Sequence, residues 1–381
     1  MSPINNNFQW RLPMVVILAL AALTSNGFAQ QIGTSVVEKE RSVVAADLQM
    51  IYGKTESAAT IADYSSILNF CRNIAGDSTR VKEDRLYART LMSWAANRRG
   101  EARSDQASKL VREQQLGQAA ELDAMAIKDF ESSIQLDPSR WRAHHNIAII
   151  RALQGNNEAA LESFETVIRL NPEFSDAYFN RGEIYFRSNQ FESAIDDQNK
   201  VIQLKPEDSA AYSARARSLY AIGKNEEALA DFAKAMDLSP DSAESATEYA
   251  DTCQALGKWK LAATTYQRAM QLDGKNARTF QNAAWMMATC PDDFYRNGES
   301  ALETAQKAVQ LASASAPASV QVLDVLAAAQ AASGDFVSAE KTIASALRST
   351  TDASLRSELQ MRSRQYLRKR PYVQPSPVSK K

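Results

Sequence analysis

Histidine is nearly missing from this chain: two residues in 381, His144 and His145, standing side by side. Neighbours on a helix point roughly 100° apart, so the pair does not close on one metal ion from a single face. A Ser-His-Asp arrangement would have to be assembled around these two residues, and no nucleophile-elbow sequence supports it. Phosphate-loop, dinucleotide and zinc-site spacings are likewise absent. No catalytic residue, metal or cofactor is therefore expected. Cysteine is also scarce: Cys71, Cys253 and Cys290 form an odd, widely spaced set, unlike a disulfide framework. Charge of one sign is lacking too, with 44 basic against 45 acidic residues, so nothing calls for nucleic acid. The one unbroken apolar run, Met14–Leu23, is too short to span a bilayer.

What the chain does have is a period. Leu136-Asp137-Pro138, Leu170-Asn171-Pro172, Leu204-Lys205-Pro206 and Leu238-Ser239-Pro240 recur every 34 residues, and Leu272-Asp273-Gly274 keeps the register with glycine for proline. Self-similarity at such a period marks a repeat array. With proline at position 32, the clear repeats run 141–174, 175–208 and 209–242, with weaker ones near 107–140 and 243–276. In the second clear repeat Tyr178, Gly182 and Tyr185 share one helical face, and Ala194, Val201, Ile202 and Leu204 form a second stripe. Ser188-Asn189-Gln190 separates them, where neighbouring repeats carry Gly155-Asn156-Asn157 and Gly223-Lys224-Asn225. Glycine or asparagine after a helix supplies a left-handed cap, and proline stops the second helix. Each repeat reads as helix–turn–helix.

These positions resemble the tetratricopeptide repeat (TPR) family. Its pattern is matched by Tyr178, Gly182, Tyr185, Ala194 and Pro206, again by Tyr212, Ala216, Ala228, Phe232 and Pro240, and partly by Ala160, Phe164 and Pro172. His144 at position 4 and Gln198 at position 24 depart from it. The resemblance implies an all-α, right-handed α-solenoid, stabilised by repeat-to-repeat contacts rather than by a central core.

Residues 1–29 read as a secretory signal: Arg11, the apolar run, then Gly27-Phe28-Ala29 with small residues at the cleavage point. A mature chain starting near Gln30 is expected, exported to a periplasm or beyond the cell, without stable membrane insertion. No cysteine follows the cleavage point, which argues against a lipid anchor. Residues 30–106 read as divergent helical units: two helices over 35–76 broken at Tyr52-Gly53-Lys54, then a long helix over about 80–115 carrying Leu86, Leu91 and Trp94. Its Asn97-Arg98-Arg99-Gly100-Glu101 echoes Asn180-Arg181-Gly182-Glu183, and the distance on to Ala126 implies an inserted polar stretch in the first unit. A sixth unit near 277–311 starts with Phe280, Ala284 and Met287. Its long Cys290–Gly298 turn has aspartates but no calcium-loop spacing. A Ser/Ala/Pro linker at 312–319 leads to a seventh unit, 320–353; a capping helix is expected over 354–370 and a disordered tail over 371–381. Cys253 and Cys290 fall in first helices of adjacent repeats, where a bridge is conceivable and burial as small apolar residues is favoured.

If positions 4, 7, 8 and 11 of each first helix pack inward, the remaining positions line the concave surface. They are Arg142, His145, Asn146 and Ile149; Phe179, Asn180, Glu183 and Phe186; Arg217 and Tyr220; Glu248 and Asp251; Gln281, Asn282 and Trp285. Aromatics among amides and arginines have the composition of a binding patch. Asparagine recurs at position 6 in Asn146, Asn180 and Asn282, and an amide both donates to and accepts from a peptide group. The family resemblance implies that Asn146, Asn180, Arg142 and Arg217 grip a peptide tail, although the family's full carboxylate clamp is not reproduced. The same asparagines would equally cross-link adjacent helices, and the aromatics would be covered if the N-terminal extension lay across them. His145, Phe179, Glu183, Phe186, Tyr220, Asn282 and Trp285 complete the candidate set. The basic C-terminal residues Arg362, Arg364, Arg368, Lys369, Arg370, Lys380 and Lys381 suit either an anionic envelope surface or, more simply, a solvated capping helix.

The chain is thus expected to be a non-catalytic exported scaffold holding a protein or extended peptide in its groove. Self-assembly as a structural envelope protein is the alternative, and service as an accessory subunit of an envelope enzyme a weaker one.

Overall fold

The computed structural model describes residues 45–313 and 319–376, so the expected signal segment lies outside the described residues. Seventeen helices and no strands occur among the described residues, an all-α repeat fold. They fall into two compact units, with the chain divided between Ser188 and Asn189.

Unit 1 opens with α1 (Ala46–Thr55) and α2 (Ile61–Gly76). The break expected at Gly53 does not occur, because that glycine sits within the last turn of α1. The break falls at 56–60, where Thr60 starts α2 with a capping box: its hydroxyl accepts from the Asp63 N–H while Asp63 accepts from the Thr60 N–H. Tyr64, Ile67, Leu68, Cys71 and Ile74 form the buried face read from the sequence. They pack against Leu91 and Trp94 of α3 (Lys82–Arg112), whereas Leu86 is 60% exposed, contrary to expectation. Helix α3 has 31 residues, and Gln114 takes a left-handed φ of 62° before α4 (Leu116–Leu136) returns. The weak repeat expected at 107–140 is therefore no separate helix pair: Ala107 lies inside α3, and the insertion lengthens one hairpin. The unit continues through α5 (Trp141–Leu153), α6 (Asn157–Leu170) and α7 (Ser175–Arg187). A core of Ala148, Ile149, Ala160, Phe164, Val167, Ala177 and Ile184 joins these three.

Unit 2 runs through α8 (Phe191–Leu204), α9 (Ser209–Ala221), α10 (Asn225–Leu238), α11 (Ala243–Ala255) and α12 (Trp259–Leu272). It ends with α13 (Ala277–Thr289), α14 (Gly298–Ala312), α15 (Val320–Ala332), α16 (Phe336–Ser349) and α17 (Ala353–Leu367). Its cores are built around small residues, including Ala250, Ala262, Ala284 and Ala301, which let helices approach closely around Tyr266 and Met286.

The local geometry explains the period. Gly155, Asn189, Gly223 and Gly257 all have positive φ (78°, 58°, 82° and 72°), one per repeat. After each glycine the next N–H reaches back to a carbonyl five residues earlier, as in Asn156 to Arg151 at 2.9 Å and Lys224 to Leu219 at 2.9 Å. This closes the first helix and aims the chain into the second. The residues before the prolines, Asp137, Asn171, Lys205 and Ser239, all leave the helical region, with φ between −132° and −146° and ψ between 73° and 93°, as the clash with the proline ring favours. Cys71, Cys253 and Cys290 are free and buried; burial pushes the thiols of Cys71 and Cys253 up to about 12 and 11, so they sit as protonated apolar groups.

Candidate functional site

The candidate residues divide between the units and are described unit by unit. In unit 1, Glu101 of α3 gathers the amides and bases of the neighbouring turn. It accepts from Asn97 Nδ2 at 2.8 Å, from Arg98 at 2.6 Å and from Asn146 Nδ2 of α5 at 3.4 Å. Arg142 lies over the Trp141 ring, 4.6 Å from its centroid. Burial lowers the pKa of its guanidinium, Glu101 opposes that shift, and Arg140 and Arg98 add to it. His145 is wedged edge-on between Phe174 (4.9 Å) and Phe164 (5.8 Å), with the Asn180 amide 3.5 Å from Nε2. Burial drives its imidazole down to about 4, against the pull of Asp176, so it is neutral at pH 7. Phe179, Asn180, Glu183 and Phe186 are partly buried along α7. A cavity of about 60 Å³, lined by Glu101, Ser104, Asp123, Asn146 and Ile149 among others, has room for little beyond ordered water.

In unit 2, Arg217 is 8% exposed and its Nε lies 3.8 Å from Glu248 of the next first helix. Asn282 is equally buried, and its Nδ2 donates to Asp251 at 2.8 Å. Asp251 also receives Arg278 at 2.7 Å and lies 2.6 Å from the Tyr266 hydroxyl, which is 2.9 Å from Gln254 Oε1. Burial pushes the Asp251 carboxyl up, while Arg278, Tyr266 and Asn282 pull it down. Tyr220 stays partly exposed on α9.

One rule connects these contacts. Position 9 of a first helix faces position 6 of the next: Arg217 meets Glu248, and Asp251 meets Asn282. Glu101, in the echoing segment of α3, meets Asn146 in the same way. Where position 9 is apolar, as at Ile149, the position-6 amide of Asn180 turns to His145 instead. Asn146, Asn180 and Asn282 thus tie repeats together, and Asn282 and Arg217 are spent inside the array.

Trp285 has a different fate. The guanidinium of Arg362, from α17, lies 5.5 Å from its ring centroid, and the Tyr372 ring lies 5.8 Å away. Arg362, expected on a solvated helix, is 4% exposed and held by Asp324 of α15 at 2.8 and 3.0 Å. The tail expected to lack structure instead runs beside α13 over 371–376, and the Gln374 N–H donates to the Thr289 carbonyl at 2.9 Å. At Trp285 the covering comes from the C-terminal segment, while residues 30–44 of the N-terminal extension lie outside the described residues. Arg362 and Tyr372 were missed as site residues; the signal available was the Pro371-Tyr372-Val373-Gln374-Pro375 spacing, which forces extended backbone.

Among the described residues no group of three or more His, Cys, Asp or Glu side chains is placed to hold a metal, and no helix is long and apolar enough to cross a membrane.

Paired helices in a 34-residue register, closed by left-handed caps and joined through first-helix contacts, define an α-helical repeat protein. Residues 145–209 and 213–277 match the family model described as tetratricopeptide repeat, so this stretch carries tetratricopeptide repeats. No curated protein is a significant match to the sequence. Similar solved structures include a tetratricopeptide repeat protein from Parabacteroides merdae, with 14% identity and a TM-score of 0.49, covering 70% of this chain and 98% of that one. Yeast Tom70 has 19% identity and a TM-score of 0.48 over 76% of this chain and 61% of its own. YrrB, described as a TPR protein with an unusual peptide-binding site, has 20% identity and a TM-score of 0.39 over 48% of this chain and 91% of its own.

Proposed function

We propose that this protein is a non-catalytic, exported scaffold whose first-helix faces hold a protein or an extended peptide. The tetratricopeptide repeat is a scaffold typical of protein–protein interaction, which supports the class of partner. The observation that carries the reading is the clustering of Phe179, Asn180, Glu183 and Phe186 on one helix, all partly accessible. Aromatics interleaved with polar groups give large contact area and orientation at once. His145, half-buried against two phenylalanines and neutral, suits packing better than proton transfer. Export rests on residues 1–29 alone. A mature chain whose intact mass begins at Gln30 supports it, and one retaining Met1 ends it.

The test is affinity capture of the tagged chain from its native source, beside a Phe179→Ala/Asn180→Ala variant with unchanged helicity. Partners lost from the variant alone support binding on α7. An unchanged set of partners removes that face from consideration. A second reading, self-association, draws on Leu116, 65% exposed, and Val111, 50% exposed, near the turn of the lengthened α3–α4 hairpin. Light scattering that finds a strict monomer at high concentration rejects it.

A further inference from the structure

The segment after α17 behaves like a peptide ligand that happens to be covalently attached. Lys369 adopts a left-handed φ of 51°, and the Arg370 N–H returns to the Gln365 carbonyl at 3.0 Å, so the chain reverses as it leaves the helix. Proline at 371 and 375 restricts Arg370 and Gln374 to extended conformations. Extended backbone alternates its side chains: Tyr372 and Gln374 are partly buried, while Pro371, Val373 and Pro375 are exposed.

The receiving surface is preformed. Asp324 grips the Arg362 guanidinium through two contacts and Glu358 adds a third at 3.3 Å, none of which involves the tail. Arg362 therefore holds its place beside Trp285, and Tyr372 adds its own ring 5.4 Å from the guanidinium. Arginine stacks well on aromatic faces, and a rigid shelf avoids the entropy cost of organising one on binding. The Thr289 carbonyl, at the last turn of α13, has no helical N–H ahead of it and accepts from Gln374 instead. The Tyr372 ring, its hydroxyl contact with Arg362 and one backbone N–H fasten the tail. Such a contact opens far more readily than the core beneath it.

We propose that Trp285, Arg362 and the Thr289 carbonyl form a docking slot for an extended peptide carrying an aromatic side chain between prolines, and that Tyr372–Gln374 is its built-in competitor. This deepens the reading of the first-helix faces as peptide-binding surfaces and rests on it. An incoming segment must offer a ring for the Arg362–Trp285 shelf and, two residues on, an N–H for Thr289. Because the tail is tethered ten residues from Arg362, its effective concentration is on the order of millimolar, and free peptide meets it as a competitor.

The probe is a fluorescein-labelled peptide with the sequence of residues 370–381, read by anisotropy against the full chain. A Tyr372→Ala chain, checked for unchanged helicity, is expected to bind it at least about tenfold more tightly than the unaltered chain, because the competitor has lost its ring. A Tyr372→Phe chain keeps the ring but loses the hydroxyl contact with Arg362, and should fall between the unaltered and Tyr372→Ala chains. The same peptide made with the Tyr372→Ala change should lose at least about tenfold on the Tyr372→Ala chain, and so should the normal peptide on a Trp285→Ala/Tyr372→Ala chain. Equal binding to the unaltered and Tyr372→Ala chains, equal binding of both peptides, or no binding at millimolar peptide each overturns the proposal. The α7 capture experiment is independent of this slot. Partners still lost from the Phe179→Ala/Asn180→Ala variant while the peptide fails would sink the slot and leave the general reading standing.

Discussion

At the scale of single residues, burial decides what the polar side chains do. His145 keeps a neutral ring between two phenylalanines, with a folded pKa near 4 against an ordinary 6.5. The unfolded chain therefore binds a proton first. Above about pH 6.5 the residue costs nothing; as pH falls from 6.5 towards 4 it destabilises the fold, by on the order of 2 kcal/mol. Urea midpoints measured between pH 7 and pH 4 should fall more steeply for the unaltered chain than for His145→Gln, whatever their absolute values. Parallel slopes would show that the ring is not enclosed as described. Asp251 gives the opposite lesson, since it is the acceptor its partners share. Asp251→Ala leaves Asn282 without its acceptor, leaves Arg278 only Glu244 and Tyr266 only Gln254, and should cost about 3 kcal/mol. Asp251→Asn, which keeps an acceptor oxygen, should cost clearly less by the same measurement. These contacts also mark where reading the sequence stops. Recurrent asparagine at position 6 was visible, but its direction was not, because that depends on whether position 9 of the preceding repeat is an acid or an isoleucine.

At the scale of elements, local signals carried nearly everything between residues 141 and 276. Glycine or asparagine in a left-handed turn and proline after a residue held out of the helical region are each decided within a few residues, and the helix ends follow from them. The departures occur where distant packing rules. Gly53 stays helical because the capping box at Thr60, not the glycine, sets the break. Helix α3 ends at Arg112, close to the expected 115, and crosses the repeat boundary expected at residue 107 because polar residues with good helical propensity carry it on. The tail depends on Arg362 and Trp285, far away in sequence. Three glycines separate propensity from packing. A methyl at Gly298 would collide with the backbone carbonyl of Ala332, which has no room to yield, at the junction of α14 and α15. At Gly100 it would meet the Phe130 ring at 2.6 Å, and at Gly117 it would meet nothing within 4 Å. Alanine in a helix is worth up to about 1 kcal/mol over glycine. Thermal melts should therefore show Gly117→Ala neutral or stabilised, Gly100→Ala destabilised and Gly298→Ala the worst. A reversed order would mean that the helix contacts are looser than described.

At the scale of the whole molecule, stability should be local, because repeats draw it from their neighbours and not from one shared core. The two compact units give this a measurable form. Trp94 and Trp141 lie in unit 1, Trp259 and Trp285 in unit 2. In a chain starting at Gln30, a Trp259→Phe/Trp285→Phe variant reports unit 1 by fluorescence, and a Trp94→Phe/Trp141→Phe variant reports unit 2. Two-state unfolding requires that probes coincide. Two different urea midpoints are expected here, and adding Asp251→Ala should lower the unit 2 midpoint while leaving that of unit 1 in place. The network around Asp251 involves only α11, α12 and α13, so its loss has no direct route into the first unit. If both reporters instead move together after Asp251→Ala, the chain unfolds as one cooperative body. The α7 face and the Trp285 slot would then rise and fall in stability together, so a partner held by either would stabilise both; if the midpoints separate, each face binds on its own account.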